Sequence, residues 1–364
     1  RQAELLKPPG SLGRLETIAV DIAAMQSTTA PSVEPAVLFT LAADHGVAAE
    51  GVSAYPPSVT AAMVRAVADG EAAINAVAGA TGLTTHIVDM GVAGDVPAEV
   101  IEQHIADGTA NMAVEPAMTA AQARASIEAG RELIAEHATE AGVVALGELG
   151  IGNTTASAAI TAALTEHPIE EITGHGTGID ESTRHHKIET IERALAETAP
   201  DTDEPLDVLR CVGGFEIGGL VGVTLAAASR RIPVVVDGVV TGAAALLAAE
   251  IDERAADYLL GAHASTEPAH AIQLAALDVE PCVAYEMRLG EGTGAAVAIG
   301  SYRAACRAHT EMATFADAGL DGAWAHHRRT PSHRSGRSAS PGRPPRWRRP
   351  RYRFARRQPP GPRP

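Results

Sequence analysis

The sequence predicts an α/β fold: a parallel sheet of about six strands with helices on both faces, plus a small helical subdomain made from the N- and C-terminal segments of the body. Three observations carry this expectation. Short apolar runs of buried-strand type recur along the chain, each run stops in a polar turn usually rich in glycine, and alanine-rich helical segments lie between them. In such a sheet the ligand belongs at the carboxyl ends of the strands, where these turns fall.

Taken in order, a helical stretch over Arg1–Met25 precedes the strand Ala36–Ala43, which ends in Asp44-His-Gly46. A helix over Ser58–Ala78 leads to the strand Thr85–Asp89 and the turn Met90-Gly91. The helix Ala120–Ala138 leads to Val143–Leu146, which runs into Gly147-Glu-Leu-Gly-Ile-Gly-Asn-Thr-Thr155 and the helix Thr154–Leu164. Beyond the helix Ile188–Glu197, Val208–Val212 reads as a strand ending in Gly213-Gly-Phe-Glu216. Pro233–Val236 ends in Asp237-Gly238, and the helix Gly242–Glu250 follows. Tyr258–Leu260 ends in Gly261-Ala-His263, which reads as a turn or surface segment, and Gly294–Ala318 closes the body as helix. The expected domains are residues 1–30 and 294–321 (the helical subdomain), 31–293 (the α/β domain) and 322–364 (a disordered tail).

The glutamate turn is the most informative segment. A strand that stops in glycines before a helix start exposes backbone N–H groups at the positive end of a helix dipole, a setting suited to phosphate. Gly290-Glu-Gly-Thr-Gly294 repeats the recipe, again with a carboxylate between glycines. Two such turns point to a nucleotide-processing site.

Charge divides the chain. Its net charge is −16, yet Gly322–Pro364 holds 13 Arg and no acid, leaving 16 basic and 45 acidic residues in Arg1–Asp321, a charge of −29. So acidic a body repels nucleic acid, and no apolar run is long and uncharged enough for a bilayer. The Arg, Pro, Ser and Gly of the tail cannot bury enough apolar surface to fold. Cys211, Cys282 and Cys306 form no CxxC pair and read as ordinary thiols of a reducing compartment. No metal-ligand spacing occurs, no GxxxxGK[ST] supports an ATPase, and Gly147, Gly150 and Gly152 do not match the GxGxxG of a dinucleotide-binding enzyme.

Seven motifs in order carry a resemblance: Lys7-Pro-Pro-Gly-Ser-Leu-Gly-Arg-Leu-Glu16, Asp44-His-Gly46 with Gly51-Val-Ser-Ala-Tyr-Pro56, the Glu148 loop, Gly176-Thr-Gly178, Gly213-Gly-Phe-Glu-Ile217, Val236-Asp-Gly238 and Met287-Arg-Leu-Gly-Glu-Gly292. Together they resemble the nicotinate-nucleotide:dimethylbenzimidazole phosphoribosyltransferase family over roughly Arg1 to Leu320. Members normally carry extra residues before the Lys7 motif and end near Ala318, so both ends of this chain depart from the pattern.

The resemblance implies transfer of phosphoribose from nicotinate mononucleotide to 5,6-dimethylbenzimidazole, without cofactor or metal, by a cytoplasmic homodimer that binds neither nucleic acid nor membrane. It implies Glu291 as general base beside an apolar pocket to which Leu289 contributes. Gly150, Gly152 and Asn153 would offer donors to the nucleotide, with Gly176, Thr177 and Gly178 as a second cradle and Lys187 as an active-site cation. Glu148 and Asp237, followed by Gly238, suit ribose hydroxyls or water; Ser265 suits phosphate or ribose, and Ser53 the benzimidazole. Ala62 stands where many members have Gln, which removes a hydrogen bond to the incoming base. The alternative is a phosphate-ligand sensor on the same scaffold, which would have no need of a base beside an apolar pocket.

Overall fold

Ala36–Ala43 (β1) is buried along its whole length, and its side chains part by parity, as strand geometry requires. Val37, Phe39 and Leu41 enter one hydrophobic core, while Ala36, Leu38 and Ala42 enter a second core on the other face. A continuous apolar run is what a strand covered on both sides needs.

The computed structural model describes residues 1–320. Around β1 the chain runs α1 (Arg14–Met25), α2 (Val59–Ala68), α3 (Ala73–Thr81), β2 (Thr84–Gly91), β3 (Ile101–Glu102), α4 (Ala120–His137) and β4 (Val143–Leu149). Five helices follow: α5 (Asn153–Thr165), α6 (Ile169–Ile172), α7 (Glu181–Thr198), α8 (Pro205–Val212) and α9 (Phe215–Ser229). The remainder is β5 (Val234–Val236), α10 (Val239–Ile251), β6 (Leu259–His263), α11 (Pro268–Ala276), β7 (Pro281–Val283) and α12 (Thr293–Glu311).

All seven strands pair in parallel, in the order β3-β2-β1-β4-β5-β6-β7. The expected parallel α/β sheet is therefore present with seven strands instead of about six. The two unforeseen edge strands, β3 and β7, have only two and three residues, too few for a periodic signal. Sheet growth reverses direction between β1 and β4, and this switch point is where an open parallel sheet leaves a crevice.

Residues of α4, α5, α7, α8, α9, α10 and α11 fill the first core; residues of α1, α2, α3 and α12 fill the second. With few aromatics available, helices approach through small residues. A β-carbon on Gly130 of α4 would collide with the Gly219 carbonyl of α9, and one on Gly222 with the Ile127 carbonyl. On the second face α1 packs on α12, and the Tyr302 hydroxyl donates to the Gly261 carbonyl at 2.6 Å, tying α12 to β6.

Three local expectations are corrected. Val208–Val212 is helix, not strand: Pro205 stands in its first turn, and Arg210 Nε donates to Asp207 Oδ1 one turn back at 2.8 Å. Val208, Leu209, Cys211 and Val212 are buried, whereas a strand covered on both faces would have had to bury Arg210 as well. The helix expected over Ser58–Ala78 breaks at Gly70, whose φ of +81° ends α2 before α3 starts. The terminal helices are shorter than expected, because the Pro8-Pro-Gly10 and Gly13 region precedes α1 and α12 stops at Glu311. The chain divides into a unit Arg1–Thr314 and a second beginning at Phe315, in which Leu320 N–H donates to the Phe315 carbonyl at 2.9 Å. The tail expected to be disordered, 322–364, lies outside the described residues.

Candidate active site

A cleft of about 500 Å³ opens at the carboxyl ends of the central strands, on the switch point between β1 and β4. Glu148, Gly150, Asn153, Gly176, Thr177, Gly238, Ser265 and Leu289 line it, as the motifs imply. Gly152, Lys187, Asp237, Glu291, Ser53 and Gly178 are not part of that lining.

The glutamate turn forms one wall. Gly150 admits no side chain, because a β-carbon there would meet the Ala43 carbonyl, and Gly152 takes φ +102° with the His45 side chain close beside it. This tight path starts α5 at Asn153, whose Nδ2 donates to Glu148 Oε2. Burial, reinforced by the negative charge of Asp237, pushes the Glu148 carboxyl up to about 8. Asp237 lies behind Gly238 and accepts the Ala295 N–H at 2.7 Å at the start of α12. Its own burial outweighs that donor and raises it to about 7.

Lys187 on α7 is 1% exposed and donates from Nζ to Thr154 Oγ1 at 2.7 Å, directly beneath the wall. Burial lowers it to about 8 despite the opposing pull of Glu267. Gly176, at φ +50°, lies over this ammonium: a β-carbon there would stand 3.3 Å from Nζ. The Gly176 N–H donates to Glu267 Oε1 at 2.9 Å, and Arg288 Nη1 donates to its carbonyl at 2.9 Å. Thr177 Oγ1 accepts the Ala54 N–H at 3.0 Å and lies 3.2 Å from Ser53 Oγ, so the Ser53 and Gly176 loops meet at the rim. Gly178 lines an adjoining cleft with Arg184 and Arg288.

An apolar wall adjoins the first, built from Tyr55, Val59, Met63, Leu149 and Leu289, with the Thr60 hydroxyl accepting the Ile151 N–H at 3.2 Å. Ala62, at the position given to the members' Gln, is exposed and outside the lining, to which α2 contributes Val59, Thr60 and Met63.

Glu291 sits behind this wall. It adopts φ +60° between Gly290 at +87° and Gly292 at +85°, a conformation that costs a non-glycine residue roughly 1–2 kcal/mol. Its Oε2 accepts the Ile74 N–H at 3.3 Å at the start of α3, and the residue is 2% exposed. Burial raises its pKa. Leu289 and Gly290 of the same turn line the cleft, and a β-carbon on Gly290 would collide with Glu148 Oε1. Asp237 and Glu291, which the resemblance implies as substrate-facing groups, are thus buried and outside the cleft lining, whereas Glu148, Gly176 and Ser265 line it.

Sequence reasoning missed Tyr55, Thr60, Met63, Thr154, His263 and Arg288 as cleft residues. His263, expected in a turn or at the surface, is the buried last residue of β6. Its place at the carboxyl end of a strand was the available signal. Among the described residues, no group of three His, Cys, Asp or Glu is placed to hold a metal ion, and no helix is long and apolar enough to cross a membrane.

A family model described as phosphoribosyltransferase matches residues 1–320. Proteins named nicotinate-nucleotide--dimethylbenzimidazole phosphoribosyltransferase from Roseiflexus sp. (strain RS-1) and Chloroflexus aggregans are each 48% identical, over 326 and 324 residues, covering 88% of this chain and 92% of the relative. The crystal structure of the enzyme of that name from Thermus thermophilus is 41% identical and superposes with a TM-score of 0.82, covering 88% of this chain and 96% of the other.

Proposed function

The chain belongs to this phosphoribosyltransferase family, and from that premise we infer that it transfers phosphoribose from nicotinate mononucleotide to 5,6-dimethylbenzimidazole. The products are α-ribazole 5′-phosphate and nicotinate, in assembly of the cobalamin lower ligand. The comparisons support this reading over the sensor alternative.

The observation that carries it is the pairing, in one cleft, of a glycine-rich cradle over a buried cation with an apolar wall backed by a carboxylate. Phosphate and ribose fit the Gly150–Asn153 and Gly176–Thr177 side, with Lys187 supplying compact positive charge. The planar base fits between Tyr55, Met63 and Leu289. Nicotinate in the nucleotide is a pyridinium, so it leaves with the electrons of the C1′–N bond and needs no acid. As the unprotonated benzimidazole nitrogen bonds C1′, the N–H proton of the other ring nitrogen must go to a base. Glu148, at about 8, already holds a proton at neutral pH and serves as a donor to ribose. Glu291 is the base: rotation of its side chain exchanges the Ile74 N–H for the substrate's N–H. Ser53, Asp237, Gly152 and Gly178 hold the loops that make the walls.

Nicotinate release from nicotinate mononucleotide should depend on added dimethylbenzimidazole. Release at the same rate without it, or no release with it, sinks the proposal. The family resemblance further supports a cytoplasmic homodimer.

A further inference from the structure

We infer that Thr40 is the positioning residue for Glu291. This rests on the reading of Glu291 as the base. Thr40 is the only polar residue in β1 and is 1% exposed. A hydroxyl at that depth needs a partner, and its partner lies outside the sheet: Thr40 Oγ1 donates to the Glu291 carbonyl at 3.0 Å.

The register explains how the chain reaches there. Thr40 pairs with Gly147 of β4, and parity turns both toward the second core, between Leu38 and Ala42 on β1 and beyond Ala145 on β4. A β-carbon on Gly147 would stand 2.6 Å from the Glu291 carbonyl oxygen and 2.8 Å from Thr40 Oγ1. The missing side chain leaves a slot in the sheet face, and the Glu291 peptide fills it. The Glu291 N–H donates in turn to the Glu148 carbonyl at 3.2 Å. β4 thus holds one side of the residue and β1 the other.

A left-handed glutamate persists only where its surroundings over-determine it. Without the Thr40 hydroxyl the buried Glu291 carbonyl loses its donor, and the peptide is free to turn and relieve the positive φ. The carboxylate then leaves the position from which it reaches the base. Thr40 touches no substrate, so its effect belongs to turnover and not to nucleotide binding.

Thr40→Val and Thr40→Ala should each lower kcat by about tenfold to a hundredfold, as for a reacting group displaced by about an ångström. KM for nicotinate mononucleotide and its equilibrium Kd should stay within about twofold of wild type, and Thr40→Ser should recover most of the loss. Ala introduces no clash where Thr stood, and the melting temperature of each hydroxyl-free variant is the check that it folds. Glu291→Gln and the double variant Thr40→Ala with Glu291→Gln are measured alongside. If Thr40 acts through Glu291, the double variant is no slower than Glu291→Gln alone. A kcat unchanged in the hydroxyl-free variants, no recovery with Ser, or a loss that multiplies onto Glu291→Gln overturns the inference and leaves the base reading standing. Near-wild-type turnover of Glu291→Gln overturns both.

Discussion

Glu148 and Glu291 sit in turns that read alike in the sequence, a lone carboxylate between glycines before a helix, yet the fold places them by different means. Glu148 still belongs to the β1–β4 ladder, opposite Leu41, so strand geometry alone delivers its side chain to the cleft. Glu291 belongs to no ladder. It is held left-handed by a hydroxyl from β1 and a carbonyl from β4, and its carboxylate rests on the first turn of α3. A ladder-placed group is fixed by local pairing. A clamped group is fixed by contacts hundreds of residues apart, and its side chain remains able to exchange one partner for another. That difference suits a neutral donor to ribose in the first case and a proton acceptor in the second.

The comparison can be broken at its strongest point by Glu291→Gln. A positioned base contributes about 10²–10⁴-fold, so kcat should fall by that much while nucleotide affinity, measured by calorimetry, hardly moves. Turnover near wild type would remove the distinction between the two turns. Lys187→Met tests the Glu148 side. Losing a charge-assisted contact to phosphate should weaken nucleotide binding by about tenfold to a hundredfold, with the cost in KM. A loss confined to kcat would place Lys187 with the chemistry instead.

Glu148→Gln is the mildest and sharpens the contrast by pH. With its carboxyl raised from 4.5 to about 8, the folded state holds a proton that the unfolded state releases. The stability from this group is full below about pH 4.5 and lost as pH rises to about 8. Gln carries no such dependence, so the variant's melting temperature should gain on wild type between pH 5 and pH 8.5, while turnover at pH 7 falls by less than about tenfold. A melting difference that is flat with pH would mean that Glu148 is ionised in the fold. Asp237 titrates in both proteins, so the difference reports Glu148 together with its coupling to Asp237.

Much of this was legible because it is local. The run Ala36–Ala43 is apolar at every position but Thr40, and the glycines of the Glu148 turn mark a path no other residue can follow. What was not legible depends on who meets whom. Val208–Val212 has the composition of a strand, and only Arg210 between apolar neighbours hints at a helix face. Nothing near Glu291 in the sequence says that its carboxylate meets α3 or that β1 supplies its clamp. Thr40 did carry a signal, since a lone hydroxyl in a fully buried strand must be satisfied somewhere. Arg288 and His263 carried weaker ones, sitting in a motif and at a strand end.

The two walls of the cleft rest on different cores. Val59, Thr60 and Met63 belong to α2, whose Ala61, Val64 and Val67 pack into the second core. Asn153 and Thr154 belong to α5, whose Ala156, Ala159 and Ile160 pack into the first, with the sheet between. Substitutions at Val59 or Met63 therefore bear on the second core and those at Thr154 on the first, with the Thr60–Ile151 hydrogen bond as a direct link between the two sides. On the proposed assignment of the walls, the fit for the base and the fit for the nucleotide are backed by separate interiors.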